Sequence, residues 1–350
     1  MNRKLVALVI LLCLTAFAVC APFLFTRAVF WDEVIFDHTG EIGDTIGGLT
    51  APVIGLLNAV LLYLTLREQF EFNEKQKRSV KEDQFKNTFF QLLEAQRNIV
   101  TQLKADFLFL KDWRKSNNSY KGLEFFRSAR IELGRLYRAY ESEFYNAEYD
   151  EQLAFDDYES MCADFYHGNN IPKEIEDEQD KKYRDFMNSC MNALMSQEYG
   201  ISRKAHDEYH RLGDDIDKKI VLIYWTFYSK NENVGYYFRH LYHLLKYIRL
   251  EEQEALRSFA KSKEERLAVR GQYHQYAQFI QSQMSIDELV LLFYNSFLFP
   301  KMQELIIEYG VLENLTVQNL IDPSHNCKPM MKLKNRKDDF VRVWNKRKDY

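Results

Sequence analysis

The chain has 350 residues, 46% of them apolar and 15% aromatic, which is ample material for a packed core, so disorder is not the default. Six prolines and thirteen glycines are few for this length, so long helices are favoured over a turn-rich β architecture. A formal charge of -4 gives no global attraction to nucleic acid, and nucleic acid is not expected as a partner.

Local charge is nevertheless banded: fourteen acids and one base lie between Glu141 and Asp180, and nine bases and two acids between Lys328 and Lys348. Solvated helix faces are the ordinary meaning of such runs. Cys13, Cys20, Cys162, Cys190 and Cys327 form no Cys-x-x-Cys pair, so neither a disulfide framework nor a metal site is expected.

Leu5 to Phe25 carries no charge and matches the roughly 20 residues that cross hydrocarbon. A second apolar run, Ile46 to Leu66, follows a connection holding Asp32, Glu33, Asp37, Glu41 and Asp44 against Arg27. Arg3 and Lys4 before the first run, and Arg67, Lys75, Lys77 and Arg78 after the second, place both termini inside the cell under the positive-inside rule. The expectation is a multi-pass anchor, residues 1–66, in a bacterial inner membrane, with the lipid bilayer as a partner. A rival reading takes Ala16-Phe17-Ala18 as a signal-peptidase site, against which the apolar character continues beyond it.

Along the second run Gly43, Gly47, Ala51, Gly55 and Ala59 recur every fourth residue, with Asn58 beside them. Such a small-residue ridge lets helices approach closely in lipid, either against the first run of the same chain or in a homo-oligomer.

Residues 67–84 read as a charged helical stalk, and the apolar positions Phe85, Phe89, Leu92, Ile99, Leu103 and Leu110 continue as a packed seam interrupted by Gln96 and Asp106. Ser116-Asn117-Asn118 is expected to break this helix. Helical periodicity then returns in Leu123 to Phe144, Tyr149 to Tyr166, Tyr183 to Tyr199, Asp214 to Tyr228 and Val234 to Leu250, followed by a charged helix to about Gln283. Pro172 marks a surface loop, and Gly235 and Gly271 mark helix boundaries or close contacts.

Ser285-Ile286-Asp287-Glu288 is a capping box that opens a helix whose run Leu289 to Phe299 is too short to span and reads as core. Pro300 bends or ends that helix. From Pro323 a basic, loosely ordered tail is expected through residue 350. The fold class is therefore all-α: a two-helix membrane hairpin followed by a multi-helix bundle over residues 85–322.

Three stretches carry a resemblance. They are Gly43-Asp44 with the run into Thr65-Leu66-Arg67-Glu68-Gln69; Tyr237-Phe238-Arg239-His240-Leu241-Tyr242-His243-Leu244-Leu245-Lys246-Tyr247-Ile248; and Gln283 to Leu289 leading to Tyr294-Asn295. Together they resemble the phage abortive-infection proteins of bacteria, the AbiC-like family. The resemblance implies two membrane helices before a helical cytoplasmic region and a role in antiviral defence, with a phage component or another defence protein as candidate partners. It carries no catalytic fingerprint and no cofactor.

Among candidate sites, Arg239, His240 and His243 interrupt an aromatic helix at Tyr236, Tyr237, Phe238, Tyr242 and Tyr247. Arg239 either pairs with Asp287 or Glu288 inside the core, as a buried charge must, or lines an anion pocket with Tyr242 and Asn295. His206 and His210 have metal-ligand spacing but no third ligand and no zincin glutamate, so an exposed charged helix is the ordinary reading. Arg203 with His210 also fits the Arg-x(4–6)-His pattern resembling HEPN-type ribonucleases, with His as general base and Arg on the phosphate. Arg127, Arg130, Arg135 and Arg138, with Tyr137 and Tyr140, read as partners for acidic helices. The favoured function is a non-enzymatic, membrane-anchored defence protein; a tethered ribonuclease and a scaffold for another defence component are the alternatives.

Overall fold

The computed structural model describes residues 39–111, 114–142 and 173–334, with Cys13, Thr15, Ala16 and Cys20. The expected helix Tyr149 to Tyr166, the loop at Pro172 and the tail beyond Lys334 lie outside the described residues, as does the run Leu5 to Phe25 apart from those four positions. Two compact units are distinguished, residues 1–86 and 87–350.

Helix α1, Thr39–Gln102, contains the apolar run, the charged stalk and the start of the seam, with Pro52 inside it. Among the described residues no helix is long and apolar enough to cross a membrane, so the expected pair of spans is not supported there. In the first unit Ile54, Leu56, Leu61, Leu62 and Leu66 are all 44% exposed or more, while Leu57 is buried. Gly47, Ala51, Gly55, Asn58 and Ala59 are exposed, and a Cβ added at Gly47 or Gly55 would meet nothing. The stalk residues other than half-buried Glu82 are likewise exposed, with i,i+4 pairs Arg67–Glu71 and Lys86–Glu82.

In the second unit the seam buries Phe89, Leu93, Gln96, Ile99 and Leu103, so Leu93 takes the place expected of half-buried Leu92. It ends at Gln102. The continuation expected through Leu110 is replaced by a hairpin of β1, Lys104–Lys111, and β2, Arg114–Lys121, antiparallel with Lys104 opposite Lys121. Asn117 and Asn118, expected to break a helix, sit within β2 and pair with Leu108 and Phe107. Cross-strand pairing and packing decide here: Phe107 packs on Tyr120 of β2 and on Phe125.

Eight further α-helices follow among the described residues: α2 Leu123–Glu141, α3 Lys173–Glu198, α4 Arg203–Arg211, α5 Ile216–Lys230, α6 Glu232–Ser258, α7 Lys263–Ser282, α8 Ile286–Leu298 and α9 Pro300–Tyr309. At the centre lies α8, which buries every residue from Glu288 to Phe297 and packs against α2, α5 and α9. Its capping box is formed as expected: the Ser285 hydroxyl accepts from the Glu288 amide, and the Glu288 carboxylate accepts from the Ser285 amide.

Pro300 ends α8 and occupies the first turn of α9, where its missing N–H costs nothing. Helix α9 stops at Gly310, whose φ of 63° is the left-handed conformation glycine adopts freely. The segment after Pro323, expected to be loose, is fixed as far as Lys334. His325 and Met331 are buried, and the Lys334 amide donates to the Leu315 carbonyl at 2.9 Å. Its anchor is aromatic: the Tyr294 hydroxyl lies 2.6 Å from His325 Nδ1 and accepts from the Ile321 amide at 3.0 Å.

Candidate functional site

The sequence of α6 places Gly235, Phe238, Arg239 and Tyr242 at successive helical steps of three and four, hence on one face. That face forms one wall of a cavity of about 350 Å³, with His243 beside it. Tyr228 enters from the end of α5, Asn295 from the middle of α8, and Phe299, Lys301 and Met302 from the α8–α9 junction. The expected grouping of Arg239, Tyr242, His243 and Asn295 is thus brought together in one place. His240 is not part of it: its Nδ1 donates to the Gln96 side-chain carbonyl at 2.6 Å, and burial followed by the nearby His243 lowers its pKa.

Arg239 is exposed and not locked into the core. The pairing expected with Asp287 or Glu288 does not occur, because both carboxylates are engaged elsewhere. Asp287 binds Arg130 at 2.8 Å, and Glu288 accepts from the Tyr237 hydroxyl at 2.7 Å besides its capping role. Tyr236 is also exposed, at 57%, whereas Tyr237 and Phe238 are buried as expected.

The cavity has a definite chemical character. Arg239 and Lys301 bring two permanent positive charges from two helices, no carboxylate lines the space, and neither cation has an ion-pair partner among the described residues. The remaining wall is aromatic, with the Tyr228 and Phe299 rings 5.4 Å apart in an edge-on contact. Asn295 is 2% exposed and donates from Nδ2 to the Tyr224 hydroxyl at 3.1 Å. Burial pushes the Tyr224 hydroxyl far above its ordinary range, so it stays protonated.

Gly235 lets the Tyr228 ring approach α6 closely: a Cβ there would lie 2.5 Å from the Tyr228 hydroxyl, so the ring would have to shift. The sequence signal for a close contact at Gly235 was therefore correct, while Gly271 sits in α7 with open space around it. Tyr228, Phe299 and Lys301 escaped the sequence reading because they come in from other elements, the end of α5 and the α8–α9 junction.

The other candidates lie apart. Arg203 and His210 are exposed on α4 and line no part of this cavity, while His206, expected on an exposed helix, is buried and meets the Ser142 carbonyl at 2.8 Å. The His206 and His210 Nε2 atoms are 3.3 Å apart, but among the described residues no group of three His, Cys, Asp or Glu could hold a metal. Arg127, Arg130 and Arg138 line a groove of about 610 Å³ along α2 with Asp287 and Asp322. Arg135 instead pins the hairpin, donating to the Leu108 carbonyl at 2.5 Å. Beside it Glu132 is buried, and that burial, only partly offset by Arg135, raises its carboxyl to about 7.

Residues 229–320 match a family model described as putative phage abortive infection protein (putAbiC). Every residue lining the cavity except Tyr228 falls inside that match. No curated protein and no solved structure matches the chain. The match covers about a quarter of the chain and supports a role in phage abortive infection.

Proposed function

We propose that this chain is a membrane-anchored, non-enzymatic bacterial defence protein whose helical domain receives an infection signal through the cavity on α6 and whose N-terminal helices deliver the effect. The observation that carries the reading is the coincidence of the abortive-infection match with that cavity: the matched stretch supplies Arg239, Lys301 and Asn295. An anionic ligand or an acidic part of a phage component is what two cations attract when, among the described residues, they have no ion-pair partner and no lining carboxylate.

Anchoring is supported by sequence and exposure. Ile46 to Leu66 carries no charged residue, and its described leucines other than Leu57 and half-buried Leu64 stay exposed. Apolar surface of this kind gains free energy on entering lipid. The exposed ridge Gly47, Ala51, Gly55 and Ala59 is compatible with self-association there. In this reading both termini and residues 67–350 are cytoplasmic, and the bilayer is the first partner.

The test is phage plating on cells expressing this chain, with Arg239→Ala as the variant. Protection is expected to be lost while the protein accumulates normally in the membrane fraction. Full protection by a normally accumulating variant would remove the pocket from the function. Dye entry on infection supports an effect through the membrane, whereas intact membranes with cleaved RNA would point to the ribonuclease reading.

A further inference from the structure

The cavity is small, cationic and aromatic at once, and that combination restricts what enters it. A volume of about 350 Å³ lies at the lower end for small-molecule pockets and excludes a folded peptide or an oligonucleotide. A bare inorganic anion would need the cations but not four surrounding rings, Tyr228, Phe238, Tyr242 and Phe299.

Asn295 adds a second demand. It is 2% exposed in the middle of a buried helix, yet among the described residues it makes one hydrogen bond, from Nδ2 to Tyr224. Because Asn295 lines the cavity, its carbonyl can accept from an occupant and its second amide hydrogen can donate to one. An amide presenting one donor beside one acceptor complements the edge of a nucleobase.

Resting on the reading of this cavity as the ligand site, we infer that it binds a nucleoside monophosphate. The ring lies among the aromatic side chains with its edge toward Asn295, and the phosphate is held between Arg239 and Lys301. Guanidinium suits phosphate because its fork donates two parallel hydrogen bonds.

The experiment is calorimetric titration of the purified full-length chain in detergent with AMP and GMP, and with adenosine and inorganic phosphate as half-ligands. Expected are saturable binding of at least one nucleotide, binding at least about tenfold weaker for each half-ligand, and a loss of about tenfold or more in Arg239→Ala and in Lys301→Ala. Both residues are exposed, so an unchanged helical spectrum checks that the variants fold. No saturation by either nucleotide at about 1 mM, phosphate binding as tight as nucleotide, or nucleotide binding indifferent to both substitutions overturns the inference. Loss of protection in Arg239→Ala without nucleotide binding overturns the nucleotide and leaves the defence reading standing. Nucleotide binding sensitive to Arg239, with protection intact in the variant, supports the nucleotide and removes the proposed role of the pocket.

Discussion

Ile46 to Leu66 and Ile286 to Leu298 are built from nearly the same leucine-rich material, yet they meet different surroundings. In the first, Ile54, Leu56, Leu61, Leu62 and Leu66 keep between 44% and 60% of their surface open. In the second, every side chain from Glu288 to Phe297 is enclosed by α2, α5 and α9. Composition states only that a helix needs a non-aqueous neighbour. For α8 the neighbours come from the same domain, whereas the first stretch leaves roughly 1 kcal/mol ungained at each half-exposed leucine until something covers it.

The sharpest way to break the contrast is to put the same carboxylate into both stretches. Leu292→Asp, at a position with 0% exposure, buries an unpaired charge and is expected to cost more than the whole stability of an ordinary domain, seen as loss of the cooperative thermal transition. Leu62→Asp should leave that transition within about 0.5 kcal/mol and, under the proposed anchoring, move the protein from the membrane to the soluble fraction. Equal effects on the transition would mean that the two stretches share one kind of environment.

A smaller effect distinguishes two titratable groups inside the buried region. Glu132, raised to about 7 by burial, keeps in the folded state a proton that the unfolded chain releases near 4.5. Its contribution is complete below that lower value and is lost as pH rises through 7. His325, lowered to about 4 by burial, refuses a proton that the unfolded chain takes up near 6.5, so its contribution is present above 6.5 and lost as pH falls through 4. Each amounts to on the order of 3 kcal/mol, and the two slopes oppose each other over most of the same window. The native chain is therefore expected to show nearly flat stability there, and Glu132→Gln to show stability rising with pH. Urea unfolding across that range checks it, and a flat profile in Glu132→Gln would show that His325 does not supply the opposing slope.

The smallest expected effect is at the start of α8. Ser285→Ala removes a formed capping box and should lower stability by about 1 kcal/mol in thermal unfolding, without changing what α8 buries.

These positions also show what could be read from the chain. Ser285 and Glu288 were legible because a cap is a local hydrogen-bond exchange with fixed spacing. Arg239, Tyr242 and Asn295 were legible as a group because cations are conspicuous among aromatic residues at helical spacing. The hairpin was not legible: Phe107 to Leu110 is apolar without alternation, β2 is polar, and Asn117-Asn118 imitates a turn. Its pairing comes from β1 and its docking from Glu132 and Arg135 on α2, partners that no local pattern announces. Lys301 was missed for the same reason, since its place in the cavity depends on how the α8–α9 junction packs against α6. That Arg239 is exposed followed only once Arg130 and Tyr237 were seen to occupy both candidate carboxylates.

Gly235 leaves room for Tyr228 by having no side chain. Alanine there would favour the helix by roughly 1 kcal/mol while its methyl displaced the tyrosine ring, so regularity of α6 and the present outline of its hollow are in competition. The hollow is thus a shape kept open by an omitted carbon atom, and a single added one would act as a plug that the chain carries within itself.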